Sequence, residues 1–177
     1  DTGKLEMYIV FKTASDFDSF SGLQDYRYFA DKKDTSANYP RWNWNILYKS
    51  GRGSATIFQQ FSRRESAALV TKKSNNTTYS NSTVYLDHFI QVDNTFDFYQ
   101  NGSANGTPSG DAVGDADSDG VLYIGNSYTQ NSSIRSQVAE IVMIDHSSGG
   151  VAPQDSIRHR IEGYLAHKWG FEGNLPA

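Results

Sequence analysis

The chain contains no cysteine among its 177 residues. Secreted animal domains of this size often carry disulfides, so the absence of cysteine favours a bacterial or viral source. No apolar run approaches the roughly 20 residues that a membrane-spanning helix needs, and we expect no membrane insertion. Acidic residues outnumber basic residues by 20 to 16, without a basic stripe. This balance argues against nucleic acid or an anionic membrane surface as a partner.

Glutamate is also scarce, with five residues against fifteen aspartates. Aspartate is common in turns and is a ligand of hard cations, so the balance predicts a loop-rich chain with a capacity for calcium. Aromatic residues are abundant, at 14% of the chain, and they pack well on the pleated surface of strands. No linker or internal repeat divides residues 1–177, so we expect a single domain.

Nine short segments have strand character, either an apolar–polar alternation or a short apolar run between turn signals. They are Leu5–Lys12, Asp25–Ala30, Arg41–Lys49, Ala55–Phe61, Ala67–Lys72, Val84–Val92, Thr95–Gln100, Val121–Gly125 and Val138–Asp145. Many short strands with a single helical pattern predict an all-β fold. We expect a two-sheet antiparallel jelly-roll sandwich with one short C-terminal helix.

The helical pattern lies near the end of the sequence. Asp155 or Ser156 can cap its start, and Gly170 can end it. Its apolar residues recur at helical spacing. They are Ile157, Ile161, Tyr164, Leu165 and Trp169. We expect this stripe, with Trp169 in it, to pack against the body of the domain.

Four segments in the second half of the chain carry recognisable motifs. They are Tyr99–Gly102, Leu122–Asn126, Ala139–Asp145, and Ile161–Gly170 followed by Leu175-Pro176. In this order they resemble the Y-x-N-G hairpin, the L-Y-I-G strand, the A-E-I-I-I-Y-D strand and the I-E-G-Y-L-A-H-K-W-G…L-P ending of laminin-G-like domains. The motifs cover roughly the last eighty residues. Phe171 departs from the leucine that is usual in the family.

The resemblance implies membership of the concanavalin A-like lectin and glucanase superfamily, whose fold is a jelly roll of two antiparallel sheets. It also suggests a module excised from a longer secreted, cell-surface or phage protein. Binding modules of this superfamily often use calcium.

An acidic segment before the Val121 strand has the spacing of a cation-binding loop. The candidate ligands are Asp111, Asp115, Asp117, Asp119 and the carbonyl of Val121. Carboxylates at every second position, followed by a glycine that lets the chain turn, can surround one calcium ion. The twelfth position of the loop is Asn126 rather than the glutamate of an EF-hand. The segment is therefore a calcium loop of another type or a solvated acidic turn.

Aromatic residues share one face of the Arg41–Lys49 strand. The candidate ligand-binding residues are Tyr39, Arg41, Trp42, Trp44 and Tyr48. Sugar rings have apolar C–H faces that stack on aromatic planes, so a row of rings can bind a glycan. The alternative is that the tryptophans point into the core. Arg41, Asn43 and Asn45 on the reverse face then form the solvent side or the polar half of a site.

A catalytic function is not expected. Glycoside hydrolysis needs two carboxylates about 5–10 Å apart across a cleft. Glu140 and Asp145 share a strand but are five residues apart, so they face opposite ways. Asp87 and His88 are adjacent in a strand and also point to opposite faces, so they are not a catalytic pair.

The sequence therefore predicts a non-catalytic, lectin-like module that binds a glycan or polysaccharide. Calcium would bridge the sugar or stiffen the loops, and other modules of a parent protein are possible partners. The expected location is extracellular, at a cell surface or in a virion. The alternative is a structural or adhesive domain that binds protein through an exposed apolar patch or an edge strand. A glycoside hydrolase is the third possibility.

Overall fold

The computed structural model describes residues 4–17, 24–33, 40–51, 54–65, 68–74, 77–92, 95–106, 109–110, 121–127, 133–146 and 154–176. These ranges form eleven strands, one α-helix and one short 3-10 helix. The strands are β1 (Lys4–Thr13), β2 (Gln24–Lys33), β3 (Pro40–Gly51), β4 (Ser54–Glu65), β5 (Ala68–Lys73), β6 (Val84–Val92), β7 (Thr95–Gln100), β8 (Ser103–Ala104), β9 (Ser109–Gly110), β10 (Leu122–Ile124) and β11 (Ser136–Asp145). The helix α1 spans Asp155–Trp169, and the 3-10 helix spans Glu172–Asn174.

The strands form two sheets in which every neighbouring pair is antiparallel. One sheet has five strands in the order β11-β1-β6-β7-β8, and the other has six in the order β10-β2-β3-β4-β5-β9. The first strand therefore lies between strands from the middle and the end of the chain. This arrangement confirms the predicted all-β, two-sheet antiparallel sandwich with a short C-terminal helix.

The core between the two sheets is mainly aromatic. The Trp44 ring lies at its centre, with ring centroids 4.5 Å from Phe29 and 4.9 Å from Phe89. Phe61 and Phe96 continue the packing at a centroid distance of 4.7 Å. Tilted and edge-to-face ring contacts of this kind stabilise a core beyond the effect of buried area alone.

Helix α1 covers the outer face of the five-stranded sheet. Its residues Leu165 and Ala166 pack with Tyr8, Val10 and Leu86 of β1 and β6, and all five side chains are buried. Among the described residues, no helix combines the length and the apolar character needed to cross a membrane.

The ends of α1 confirm one of the two predicted boundaries. The helix ends at Gly170, whose φ of 71° is left-handed and whose N–H donates to the carbonyl of Ala166. The predicted caps at its start are wrong, because Gln154 occupies the N-cap and makes no side-chain cap bond.

The predicted apolar stripe of α1 is also partly wrong. Tyr164 is 55% exposed and Trp169 is 40% exposed, so neither ring seals the core. The buried side of the helix instead includes Arg158 and Glu162. These two charges can be buried because each neutralises the other.

Candidate functional site

The predicted aromatic platform on β3 is wrong for two of its residues. Trp42 is 8% exposed and Trp44 is fully buried, and both belong to the core between the sheets. Their rings therefore offer no open face to a sugar. Tyr39 lies outside the described residues, as do the side chains of Arg41 and Tyr48.

The acidic segment is not tested by the structure. Asp111, Asp115, Asp117 and Asp119 lie outside the described residues. Val121 is described, directly before β10, with 58% of its surface exposed. In the described part of the chain, no group of three or more histidine or acidic side chains could hold a metal ion. The calcium loop therefore stays a prediction.

The outer face of the six-stranded sheet, which points away from the five-stranded sheet, carries two rows of polar side chains. On β3, Asn43 and Asn45 alternate with the buried Trp42 and Trp44, so the asparagines lie on this outer face. The residues paired with them on neighbouring strands continue the rows. The first row is Tyr123, Asp31, Asn43, Ser62 and Thr71, and the second is Tyr28, Asn45, Gln60 and Lys73. We call these nine residues the polar face.

A bulge in β2 places Tyr28 and Asp31 on the same face although they are three residues apart. The pairing with β3 shifts register between Tyr28 and Ala30, so Tyr28 and Asp31 each lie opposite an outward-facing asparagine. Phe29 and Ala30, at the bulge, are both fully buried. The bulge thus lets β2 supply residues to the core and to the polar face together.

Hydrogen bonds hold the amide groups of the polar face in fixed positions. Asn45 Nδ2 donates to Asn43 Oδ1 at 2.6 Å, and Gln60 Nε2 donates to Ser62 Oγ at 3.0 Å. The hydroxyls of Ser62 and Thr71 are 3.2 Å apart. Asn45 Oδ1 is buried and has no hydrogen-bond partner in the described part of the chain. The centre of the face therefore holds an oriented acceptor that the described residues leave unused, and the Asn43, Asn45 and Gln60 side chains around it are buried.

Tyrosine rings lie beside these amides. Tyr26 and Tyr28 are two residues apart on β2, are both partly exposed, and have ring centroids 6.1 Å apart. Tyr123, at the β10 end of the first row, is also partly exposed. The polar face thus combines amide and hydroxyl groups with partly exposed aromatic rings.

The polar face contains one carboxylate, that of Asp31. Asp31 is fully buried, and among the described outward-facing side chains of this sheet it is the only carboxylate. A glycosidase needs two carboxyl groups, one to donate a proton and one to act as nucleophile or base. The described outward-facing side chains of this sheet supply one of these two groups.

A second polar cluster lies on the opposite side of the molecule, beneath α1. The ring of His88 stacks on Tyr8 at a centroid distance of 3.8 Å and on Tyr99 at 5.1 Å, and the Arg158 guanidinium lies 4.3 Å from the centroid of Tyr99. His88 Nδ1 is 3.6 Å from a carboxylate oxygen of Glu162. Burial lowers the pKa of His88 to about 4, so its ring is neutral at pH 7. This cluster anchors α1 to the five-stranded sheet.

Asp87 and His88 point to opposite faces of β6, as predicted. His88 faces α1, whereas Asp87 faces the core and accepts a hydrogen bond from the Tyr79 hydroxyl. Burial raises the pKa of Asp87 to about 8, so the carboxyl group is largely protonated at neutral pH. It is therefore a neutral partner of Tyr79 within the core rather than part of a catalytic pair.

The raised pKa of Asp87 predicts a pH dependence of stability. The folded state keeps a proton that the unfolded chain releases near its ordinary pKa of 3.8. The contribution of Asp87 to the free energy of unfolding is therefore full below about pH 4 and falls as the pH rises to about 8. In Asp87→Asn the group stays neutral, and we expect this part of the slope to disappear in urea unfolding curves recorded across that range. An unchanged slope in the variant would contradict the assignment.

The polar face was visible in the sequence only in part. The alternation in β3 separates Asn43 and Asn45 from the tryptophans. One of the alternatives drawn from it was that these asparagines form the polar half of a binding site. Gln60 and Ser62 show the same alternation in β4, but their alignment with the asparagines depends on strand register. No local signal in the sequence gives that register.

Comparison of the chain with the models of known protein families and with curated proteins finds no match. The functional assignment therefore depends on the residues and on their geometry.

Proposed function

We propose that the chain is a non-catalytic carbohydrate-binding module and that the polar face is the floor of its glycan site. The observation that carries this proposal is the pair of rows that aligns amide and hydroxyl groups across β2, β3, β4 and β5. A sugar hydroxyl both donates and accepts hydrogen bonds. Amide side chains offer both functions from one group, without the desolvation cost of a charge.

The chemistry of the central amides supports this role. Asn45 Oδ1 has no partner in the described part of the chain, and Asn43, Asn45 and Gln60 are buried, so the amides form a fixed layer beneath the tyrosines. Partly exposed Tyr26, Tyr28 and Tyr123 flank the amides and can stack on the C–H face of a sugar ring. Fixed amides with aromatic walls are typical of sites in which a few polar groups orient a ligand.

The proposal includes calcium, bound by the acidic segment next to β10. Asp119 is four residues before Tyr123, so the acidic segment leads directly into the strand that ends the first row of the polar face. A calcium ion bound by Asp115, Asp117 and Asp119 would act at the β10 end of the site, either on the sugar or on the adjoining chain.

Two glutamines of β4 provide a matched test. Gln60 lies on the polar face, whereas Gln59 faces the core and donates to the Tyr99 carbonyl at 3.0 Å. Both are buried. Gln60→Ala is expected to weaken glycan binding about two- to tenfold through loss of one hydrogen bond, while Gln59→Ala lowers stability and leaves the affinity unchanged. Titration calorimetry with a glycan that the wild type binds, combined with thermal melts, separates the two effects. Equal losses of affinity in both variants would contradict the assignment of the site to the outer face.

A structural or adhesive role is the second candidate, and the edge strands favour it. Aliphatic side chains are exposed on β11 and on or beside β10, which form one edge of each sheet. They are Val121, Leu122, Ile124, Val138 and Met143. Exposed apolar edges are common sites of protein association. The solution mass from light scattering distinguishes the candidates, since a stable oligomer favours assembly and a monomer favours a tethered binder.

A further inference from the structure

We propose a second carbohydrate subsite on α1, formed by Tyr164 and Trp169 and braced by Glu140 of β11. This inference depends on the proposed function and deepens it. The two rings are 55% and 40% exposed, although tryptophan is highly buried on average in folded proteins. The structure therefore keeps two large aromatic side chains at its surface.

The Trp169 ring is held in one orientation by a bond to the sheet. Its indole N–H donates to Glu140 Oε2 at 2.8 Å, and the Lys168 ammonium donates to Oε1 of the same carboxylate at 3.1 Å. These two hydrogen bonds, that from Trp169 having the larger effect, lower the pKa of Glu140. The Glu140 carboxylate therefore stays ionised at neutral pH. The indole has no other donor, so its exposed face is purely aromatic.

Lys168 joins the two rings into one surface. Its Nζ lies 5.4 Å from the centroid of Tyr164 and 5.6 Å from that of Trp169. The two rings therefore lie on either side of the Lys168–Glu140 ion pair, within reach of the same ammonium group. A surface that is already ordered before binding avoids most of the entropy cost of immobilising its side chains.

A neutral sugar residue fits this surface best. A pyranose ring has an apolar C–H face for the indole and a rim of hydroxyls for the carboxylate and the ammonium. Glu140 and Lys168 form an internal ion pair with a shortest N···O distance of 3.0 Å. The pair carries no net charge that would attract an anionic or a cationic ligand instead.

The two sites face opposite directions. The polar face is on the outside of the six-stranded sheet, whereas Glu140 and α1 lie on the outside of the five-stranded sheet. One short glycan cannot span both faces of the sandwich. The module would therefore bind two segments of polysaccharide and gain avidity on a surface that displays many chains.

The tryptophans of the chain offer a direct test. Trp42 and Trp44 are buried, so Trp169 is the ring that a soluble quencher can reach. Oligosaccharides of glucose, xylose, mannose and galactose are the probes. A bound oligosaccharide is expected to protect the fluorescence of wild-type protein from acrylamide. Trp169→Ala should weaken binding to immobilised polysaccharide by about two- to tenfold, and should halve the number of soluble oligosaccharides bound per chain.

The controls separate this proposal from the first. Gln60→Ala should weaken the site on the polar face while sugar still protects Trp169. Glu140→Gln keeps an acceptor for the indole, and it should retain more binding than Glu140→Ala at similar thermal stability. The second subsite alone is overturned if binding is sensitive to Gln60 but sugar does not protect Trp169 of the wild type from acrylamide and Trp169→Ala keeps the wild-type stoichiometry. The absence of binding by the wild type to every probe overturns both proposals.

Discussion

Trp44→Ala is expected to lower the free energy of unfolding by about 3–5 kcal/mol, the usual cost of removing a large aromatic side chain from a core. The ring is fully buried and contacts Phe29 and Phe89, which belong to different sheets. Its removal would leave a cavity at the centre of the sandwich, between elements that cannot collapse freely. Urea unfolding followed by circular dichroism measures the loss.

Trp44→Phe is the matched control. Phenylalanine keeps an aromatic ring in the core and removes an indole N–H that has no hydrogen-bond partner in the described part of the chain. The loss of stability should therefore be smaller than in Trp44→Ala. If Trp44→Ala were as stable as the wild type but lost glycan binding, the ring would be a ligand platform and its place in the core would be wrong.

Glu162→Leu is expected to lower the free energy of unfolding by about 3–5 kcal/mol, because it leaves the buried Arg158 charge without its main partner. Arg158 Nη1 lies 3.1 and 3.2 Å from the two carboxylate oxygens of Glu162, and both side chains are at least nine-tenths buried. Among the described residues, Arg158 also pairs with Asp155, whose side chain is 80% exposed and compensates the charge poorly.

The double variant Arg158→Met with Glu162→Leu provides the control. Replacing both members of a buried ion pair by apolar residues of similar size is often close to neutral. We therefore expect the double variant to be more stable than Glu162→Leu alone. A double variant that is less stable than the single one would show that Arg158 stabilises α1 through Tyr99 or Gly102 rather than through Glu162.

The sequence was a good guide to the sandwich because its signals are local. Alternation in β3, the turn signal at Asn101-Gly102 and the left-handed Gly170 each depend on a few neighbouring residues. Both Asn101 and Gly102 have positive φ. The short pairings of β8 and β9 were missed, since two-residue strands carry no periodic signal.

The site was harder to predict because it depends on which face is buried. Alternation divides a strand into two faces but does not say which of them is open, and the described side chains on both faces of β3, from Trp42 to Ile46, are nearly inaccessible to solvent. The aromatic face was therefore as plausible a site as the amide face. The predicted buried face of helix α1 was wrong for a similar reason. Hydropathy favoured a stripe through Tyr164 and Trp169, whereas Arg158 and Glu162 occupy the buried side because their charges are paired.

The most direct test of the account is a glycan array probed with wild-type protein and with Gln60→Ala, each with and without millimolar calcium. We expect glycan binding by the wild type, a dependence on calcium, and weaker signals in Gln60→Ala on the same glycans. Binding without calcium dependence would remove the acidic segment from the site and leave the polar face in place. No binding to any glycan in either condition would contradict the assignment as a carbohydrate-binding module and favour assembly through the apolar edge strands.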